Sequence, residues 1–237
     1  MSKNKLTKFA ENETFPNLFQ RSADEHGNEQ FPLRGRWRQD YFKNDNPIIV
    51  ELGCGKGDYT VALAERFPME NYIGIDRKGA RLWRGCKTAI EKSLHNVAFL
   101  RIGIDRIDAY FGPEEVDEFW ITFPDPQPKK ERRRLTSPNF IQRYKEVLKP
   151  DGMINLKTDS REFYQYTLDT IRKQGWALLV NIENVYQPPC DPILTDIQTF
   201  YEKMWLREGR MISYVRFGSN ILSSSPYPHY YQKREVE

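Results

Sequence analysis

One stretch, Ile48-Ile49-Val50-Glu51-Leu52-Gly53-Cys54-Gly55-Lys56-Gly57, constrains what this chain can fold into more than any other. An apolar run closes on an acid, and three glycines then fall at alternate positions. The run reads as a buried strand, and the glycines as the tight turn after it, where backbone approaches a ligand closely. From Asp58 to Phe67 the apolar residues recur at helical spacing. Strand, glycine turn and helix in that order make a nucleotide-type cofactor site.

The spacing narrows the cofactor. Dinucleotide sites carry G-x-G-x-x-G, whereas this chain has E-x-G-x-G-x-G. A carboxylate just before the first glycine, Glu51, repels a pyrophosphate and suits a cation. S-adenosylmethionine, with its ammonium and sulfonium, fits. A second acid, Asp76, closes the run Tyr72-Ile73-Gly74-Ile75 about 20 residues on, where a ribose-binding acid is expected. The cofactor candidates are therefore Glu51, Gly53, Gly55, Gly57 and Asp76, joined by Asp105 and Asp125 below.

From Ile48 onward, strand-like and helix-like segments alternate. Apolar runs at Ile48–Leu52, Tyr72–Ile75, Val97–Ile102, Val116–Phe123 and Met153–Leu156 are separated by helical segments at Tyr59–Phe67, Lys78–Ser93, near Ile107–Phe111 and at Asn139–Leu148. This alternation predicts a doubly wound, mostly parallel sheet of the α/β class, covered on both faces. Ser160–Lys173 reads as a further helix, capped by Ser160 and ended by Gly175. Two late strands, Trp176–Glu183 and Met211–Phe217, are expected as an antiparallel pair at the sheet edge. We divide the chain into an irregular N-terminal arm (1–45) with one short helix before the core, a core domain (46–218) and a tail (219–237). The arm holds Lys3, Lys5, Lys8 and Arg34, Arg36, Arg38 beside aromatics, and reads either as a strap over RNA or as a terminus with packed aromatics.

Net charge is only +3, so the distribution of charge carries any argument about nucleic acid. The three cysteines form no C-x-x-C pair, which speaks against a disulfide framework or a metal site and for a reducing cytoplasm. No apolar run reaches the length of a membrane span, and no signal peptide is visible.

Ligands of an open parallel sheet bind beyond the carboxyl ends of the strands. The acids closing successive strands are Glu51, Asp76, Asp105, Asp125 and Asp159. Asp105 falls where an adenine amino group would be read, or else caps the segment starting near Ile107. The densest signal follows the fourth strand, in Phe123-Pro124-Asp125-Pro126-Gln127-Pro128-Lys129-Lys130-Glu131-Arg132-Arg133-Arg134-Leu135. Its alternate prolines stiffen the loop and fix Asp125. Five of the six residues from Lys129 to Arg134 are basic, a pattern that suits a phosphate backbone.

This loop resembles the F-P-D-P-W-P-K-K…R-R-L signature of the bacterial tRNA (guanine-N7)-methyltransferases. The resemblance runs from about Asn46 to Phe217. It includes the glycine turn, Leu156-Lys157-Thr158-Asp159, and Thr199-Phe200-Tyr201-Glu202, which is similar to a late T-x-Y-E motif. It implies a Rossmann-like class I methyltransferase fold with seven strands, the last antiparallel, and a cytoplasmic enzyme, monomer or homodimer with no obligate protein partner. It implies S-adenosylmethionine as cofactor, no metal, and 7-methylguanosine in the tRNA variable loop as product. By the same resemblance Glu51, Asp76, Asp105 and Asp125 lie at the cofactor, while Lys129, Asp159, Thr199 and Glu202 contact the substrate. Asp125 is the catalytic candidate, and Lys130, Arg132, Arg133 and Arg134 are expected on the tRNA backbone. Gln127 stands where the family usually has Trp, and Asp76 where many members have Glu. The competing readings are a methyltransferase for a small molecule or protein, a non-catalytic RNA-binding module, and a nicotinamide enzyme. The basic loop argues against the first, the retained strand-end acids against the second and the glycine spacing against the third.

Overall fold

In the computed structural model, residues 3–20, 31–187 and 191–218 are described. The expected tail, 219–237, and Cys190 lie outside them. In chain order the elements are α1 (Lys3–Asn12), β1 (Leu18–Gln20), a π-helical turn (Trp37–Phe42), β2 (Ile48–Leu52), α2 (Asp58–Arg66), β3 (Asn71–Ile75), α3 (Gly79–Glu91), β4 (Val97–Arg101), a 3-10 segment (Ile104–Ala109) and β5 (Val116–Thr122). A 3-10 turn (Glu131–Arg133), α4 (Pro138–Lys145), β6 (Leu148–Thr158), α5 (Arg161–Gln174), β7 (Ala177–Ile182), α6 (Ile193–Asp196), α7 (Phe200–Arg207) and β8 (Ser213–Gly218) follow.

The strands form one sheet in the order β1-β4-β3-β2-β5-β6-β8-β7. All neighbours pair in parallel except β8, which runs antiparallel to both β6 and β7. The antiparallel last strand thus lies inside the sheet, and β7 takes the edge. The central strands β2 and β3 are buried along their whole length, as a parallel sheet covered on both faces requires. One face carries α2 and α3, with Tyr59, Leu63, Leu82 and Cys86 in its core. The other carries α4 and α5, with Ile141, Tyr144, Phe163 and Ile171. The caps of α5 follow the sequence: Ser160 Oγ accepts from Phe163 N at 3.2 Å, and Gly175 takes the left-handed conformation at φ 66°.

The N-terminal residues hold the short helix expected of the arm, α1, and one unexpected element, β1. β1 adds an eighth strand to the sheet, parallel to β4, and α1 packs on α3. Trp37 is fully buried; it stacks on Phe111 at 5.8 Å, and its indole N–H donates to the Tyr110 carbonyl at 3.0 Å. The buried Glu115 carboxylate fastens this segment by accepting from Gly35 N (2.7 Å), Trp37 N (2.9 Å) and Gly112 N (2.8 Å). The aromatics of residues 31–42 are therefore packed against the core. Among the described residues no helix is long and apolar enough to cross a membrane.

Candidate functional site

The strand order reverses between β2 and β5, and there a crevice opens outside the carboxyl ends of an open α/β sheet. The loops after β4, β3, β2, β5 and β6 stand side by side along this edge. They carry, in that order, Asp105, Asp76, the glycine turn, Asp125 and Asp159.

Gly53 and Gly55 adopt φ of 79° and 60°, and a Cβ built on either would meet nothing within 4 Å. Their backbone is left open on one side, as a ligand cradle requires. Gly57 and Gly85 serve closeness instead. A Cβ on Gly57 would lie 2.7 Å from the Phe99 ring, and one on Gly85 would lie 2.7 Å from the same ring and 2.8 Å from the Lys56 carbonyl. Glycine at both positions lets the turn and α3 close on Phe99. The turn is fixed from β3, because Gly53 N and Cys54 N both donate to the Ile75 carbonyl, at 2.8 and 2.9 Å. Asp76 is half-buried; its carboxylate accepts from Gly55 N (3.1 Å) and Lys78 N (2.7 Å), which locks the β3 end to the turn.

Glu51 is buried. Its carboxylate accepts from Thr60 N at 2.9 Å and from the Thr60 and Thr122 hydroxyls. These bonds tie β2, the start of α2 and the end of β5 together, so Glu51 orders the turn from beneath. Burial pushes its carboxyl up to about 7, outweighing the three hydrogen bonds that favour the charged form. Asp105 is exposed at the start of the 3-10 segment and does not cap it; the N-cap is Gly103. A Cβ on Gly103 would meet the Asp105 carboxylate at 2.4 Å, so the glycine makes room for it.

The loop after β5 is held in an unusual shape. Phe123 and Gln127 both take positive φ, 48° and 46°, a conformation that costs a non-glycine residue about 1–3 kcal/mol when nothing compensates it. Two bonds hold it: Phe123 N donates to the Lys157 carbonyl at 2.8 Å, and Gln127 N donates to Asp125 Oδ1 at 3.1 Å. Asp125 is exposed, and its carboxylate is oriented by the backbone of the residue at the Trp-to-Gln departure. Lys129, Lys130, Arg132 and Arg133 are all exposed, and among the described residues none makes an ion pair.

Arg134 departs from the sequence expectation. It is 1% exposed, donates to the Pro126 carbonyl at 2.9 Å, pairs with Glu162, and lies 4.4 Å over the Tyr166 ring. The 3-10 turn at Glu131–Arg133 turns its side chain inward while its neighbours face solvent. Arg134 clamps the loop onto α5 and is not a free phosphate ligand.

The late motif folds onto the same edge. Thr199 caps α7, accepting from Glu202 N at 3.1 Å. Glu202 is fully buried and pairs with the fully buried Lys157 Nζ at 2.7 Å. Tyr186 donates its hydroxyl to Glu202 Oε1 at 2.8 Å, while Oε2 is buried and has no hydrogen-bond partner among the described residues. Burial raises the Glu202 carboxyl, and Lys157 pulls it back down. Asp159 is paired with Arg210 at 2.8 Å, and the Arg210 guanidinium lies 3.8 Å over Trp205. Lys157, Tyr186 and Arg210 were not singled out from the sequence. The signal for Lys157 is a lysine closing a mostly apolar strand run, since a buried lysine needs a partner.

A family model described as a putative methyltransferase matches residues 45–215. The tRNA (guanine-N(7)-)-methyltransferase of Christiangramia forsetii is 52% identical over 91% of this chain and 98% of its own length. That of Porphyromonas gingivalis is 46% identical, over 87% and 86%. Among solved structures, the 16S rRNA methyltransferase KamB superposes with a TM-score of 0.58 at 14% identity, covering 76% of this chain and 89% of its own, and so shares the fold. By its sequence, this chain belongs to the tRNA (guanine-N(7)-)-methyltransferase family.

Proposed function

We propose that the chain methylates N7 of a guanosine in tRNA, that the guanosine lies in the variable loop, and that S-adenosylmethionine is the donor. The observation that carries this reading is one shared edge: a glycine backbone open to a ligand stands beside a rigid loop whose acid is exposed and whose next four exposed cations have no counter-ion among the described residues.

The residues present fit the donor. Gly53 and Gly55 leave backbone uncovered, Asp76 offers a half-buried carboxylate for ribose hydroxyls, and Glu51 holds the turn in shape. Asp105 stands at the next strand end for the adenine. When bound, the donor supplies a methyl group on a positively charged sulfur, which leaves as a neutral thioether. The guanine N7 carries a lone pair and no proton, so no general base is needed. What remains for the protein is positioning, worth several kcal/mol when the reacting atoms are aligned, and stabilisation of the positive charge that forms on the ring. Asp125 supplies the second by accepting from the guanine N1 or exocyclic amino hydrogens. Thr199 and Asp159 recognise the base, and Lys129, Lys130, Arg132 and Arg133 hold the phosphates around it. Glu202, expected from the sequence at the substrate, is fully buried and acts instead through its pair with Lys157, which holds α7 and its cap Thr199 against β6.

Two variants test this. Asp125→Asn lowers turnover far more than cofactor affinity; equal loss of both makes Asp125 a cofactor ligand instead. Arg132→Ala with Arg133→Ala lowers tRNA affinity and flattens its salt dependence, with a slope reduced by about 2. An unchanged slope removes these arginines from the interface. Turnover without any RNA favours the small-molecule reading.

A further inference from the structure

A second basic region stands on the opposite face of the sheet from the loop at Lys129–Arg133, and the reaction leaves it unassigned. A cleft of about 470 Å³ lies between α1, α3 and the start of α7, bordered by Lys8, Lys56, Arg81, Trp83, Arg84 and Phe200. Lys8 Nζ sits 4.5 Å over the Trp83 ring, and Lys56 Nζ sits 4.6 Å over the Phe200 ring. Arg81 and Arg84 are exposed on α3, three residues apart and so on one face of the helix. Among the described residues none of these four cations pairs with a carboxylate, whereas the neighbouring Lys87 pairs with Glu11 at 3.6 Å. The nearby acids are already engaged: Glu11 also accepts from the Trp83 indole at 2.5 Å, and Asp58 accepts from Phe200 N at 3.4 Å. Phe200, 57% exposed, is the largest apolar surface at the mouth.

We propose that this cleft is a second tRNA-binding surface, in which the α3 arginines and Lys8 hold backbone phosphates and Phe200 offers a face for an unstacked base. Cations interleaved with aromatic faces are the chemistry by which proteins hold single-stranded or splayed nucleic acid. Position selects RNA over other polyanions. Lys56 belongs to the glycine turn, and Phe200 directly follows Thr199, so the cleft opens at the rim of the crevice. The loop at Lys129–Arg133 leads into α4 on one face of the sheet, whereas α3 covers the other face. A tRNA seated in the crevice is thereby held from both sides. This inference rests on tRNA being the substrate.

The test is the affinity of the full chain for unmodified tRNA as a function of KCl, for the wild type, for Arg81→Ala with Arg84→Ala, for Arg132→Ala with Arg133→Ala, and for the quadruple variant that combines them. Both α3 arginines are exposed, and cofactor affinity together with thermal melting confirms that each variant is folded. The expected result is weaker binding and a log–log salt slope smaller by about 2 in each double variant, and by about 4 in the quadruple one. A normal slope in the α3 variant with a reduced one in the loop variant overturns the cleft proposal and leaves the proposed function standing. A wild type that does not bind tRNA overturns both. Poly-glutamate that displaces tRNA as effectively as unlabelled tRNA does would mark a generic polyanion surface and also overturn the proposal.

Discussion

Replacing Lys157 by Met is the perturbation on which the site speaks most clearly. Lys157 and Glu202 are both fully buried, with 2.7 Å between Nζ and the carboxylate. At that separation the attraction is about 6 kcal/mol for an effective dielectric of ~20, offset by the desolvation of both ions. Met preserves most of the side-chain volume but removes the cation paired with Glu202, whose Oε2 already has no hydrogen-bond partner among the described residues. Breaking one partner of a buried pair costs about 3–5 kcal/mol, or about 6–20 °C in Tm for a domain of this size. The sign with pH follows from burial, which raises the Glu202 carboxyl and which Lys157 opposes. In the variant the folded state holds a proton on Glu202 that the unfolded state releases. Its stability is therefore greatest at low pH and is lost as pH rises above the unfolded carboxyl value of about 4.3. Urea denaturation of wild type and Lys157→Met at pH ~5 and ~8 is the assay, with the deficit larger at the higher pH. Lys157→Met combined with Glu202→Leu removes both charges and recovers much of the loss. A single variant within about 1 kcal/mol of wild type at both pH values, or a double variant no better than the single, refutes the reasoning.

Three further outcomes follow from the same geometry. Glu51 has a folded-state carboxyl raised to about 7, so wild-type stability falls as pH climbs from about 4.5 to 7; Glu51→Gln lacks this slope and gains on wild type across that window by up to about 3 kcal/mol, read by denaturation at several pH values. Gly57→Ala forces a Cβ to 2.7 Å from Phe99 at a φ of 72°, so it destabilises the chain by about 1–3 kcal/mol and weakens cofactor binding; calorimetry showing neither effect contradicts the close-packing role. Arg134→Met frees the loop from α5 and lowers turnover while leaving the salt slope of tRNA binding unchanged; a slope reduced by about 1 would instead make Arg134 a phosphate ligand, as its sequence position suggested.

The parts of the fold legible in the sequence are those with a period to read. β2 keeps the boundaries its apolar run predicts, and α5 has the caps that Ser160 and Gly175 announce. β1 escaped because three residues carry no periodicity, and its pairing with β4 is decided by long-range packing. β6 runs from Leu148, well before the expected Met153, because Pro150-Asp151-Gly152 reads as a turn, while in the structure it is strand with an exposed face and a register shift opposite Val116 and Glu118. The site divides in the same way. The strand-end acids fall in a row because topology alone sets their order. Which of five basic residues faces solvent does not follow from composition: Arg134 is turned inward by a 3-10 turn that its sequence does not mark. The pairing of Lys157 with Glu202 joins positions 45 residues apart and is visible only once α7 lies against β6.

The most direct measurement is methyl transfer from labelled S-adenosylmethionine to bulk unmodified tRNA, followed by nucleoside analysis, for wild type and Asp125→Ala. The expected result is a 7-methylguanosine peak that collapses in the variant while the variant still binds the cofactor. A different methylated nucleoside, or a peak of undiminished size with Asp125→Ala, would contradict it.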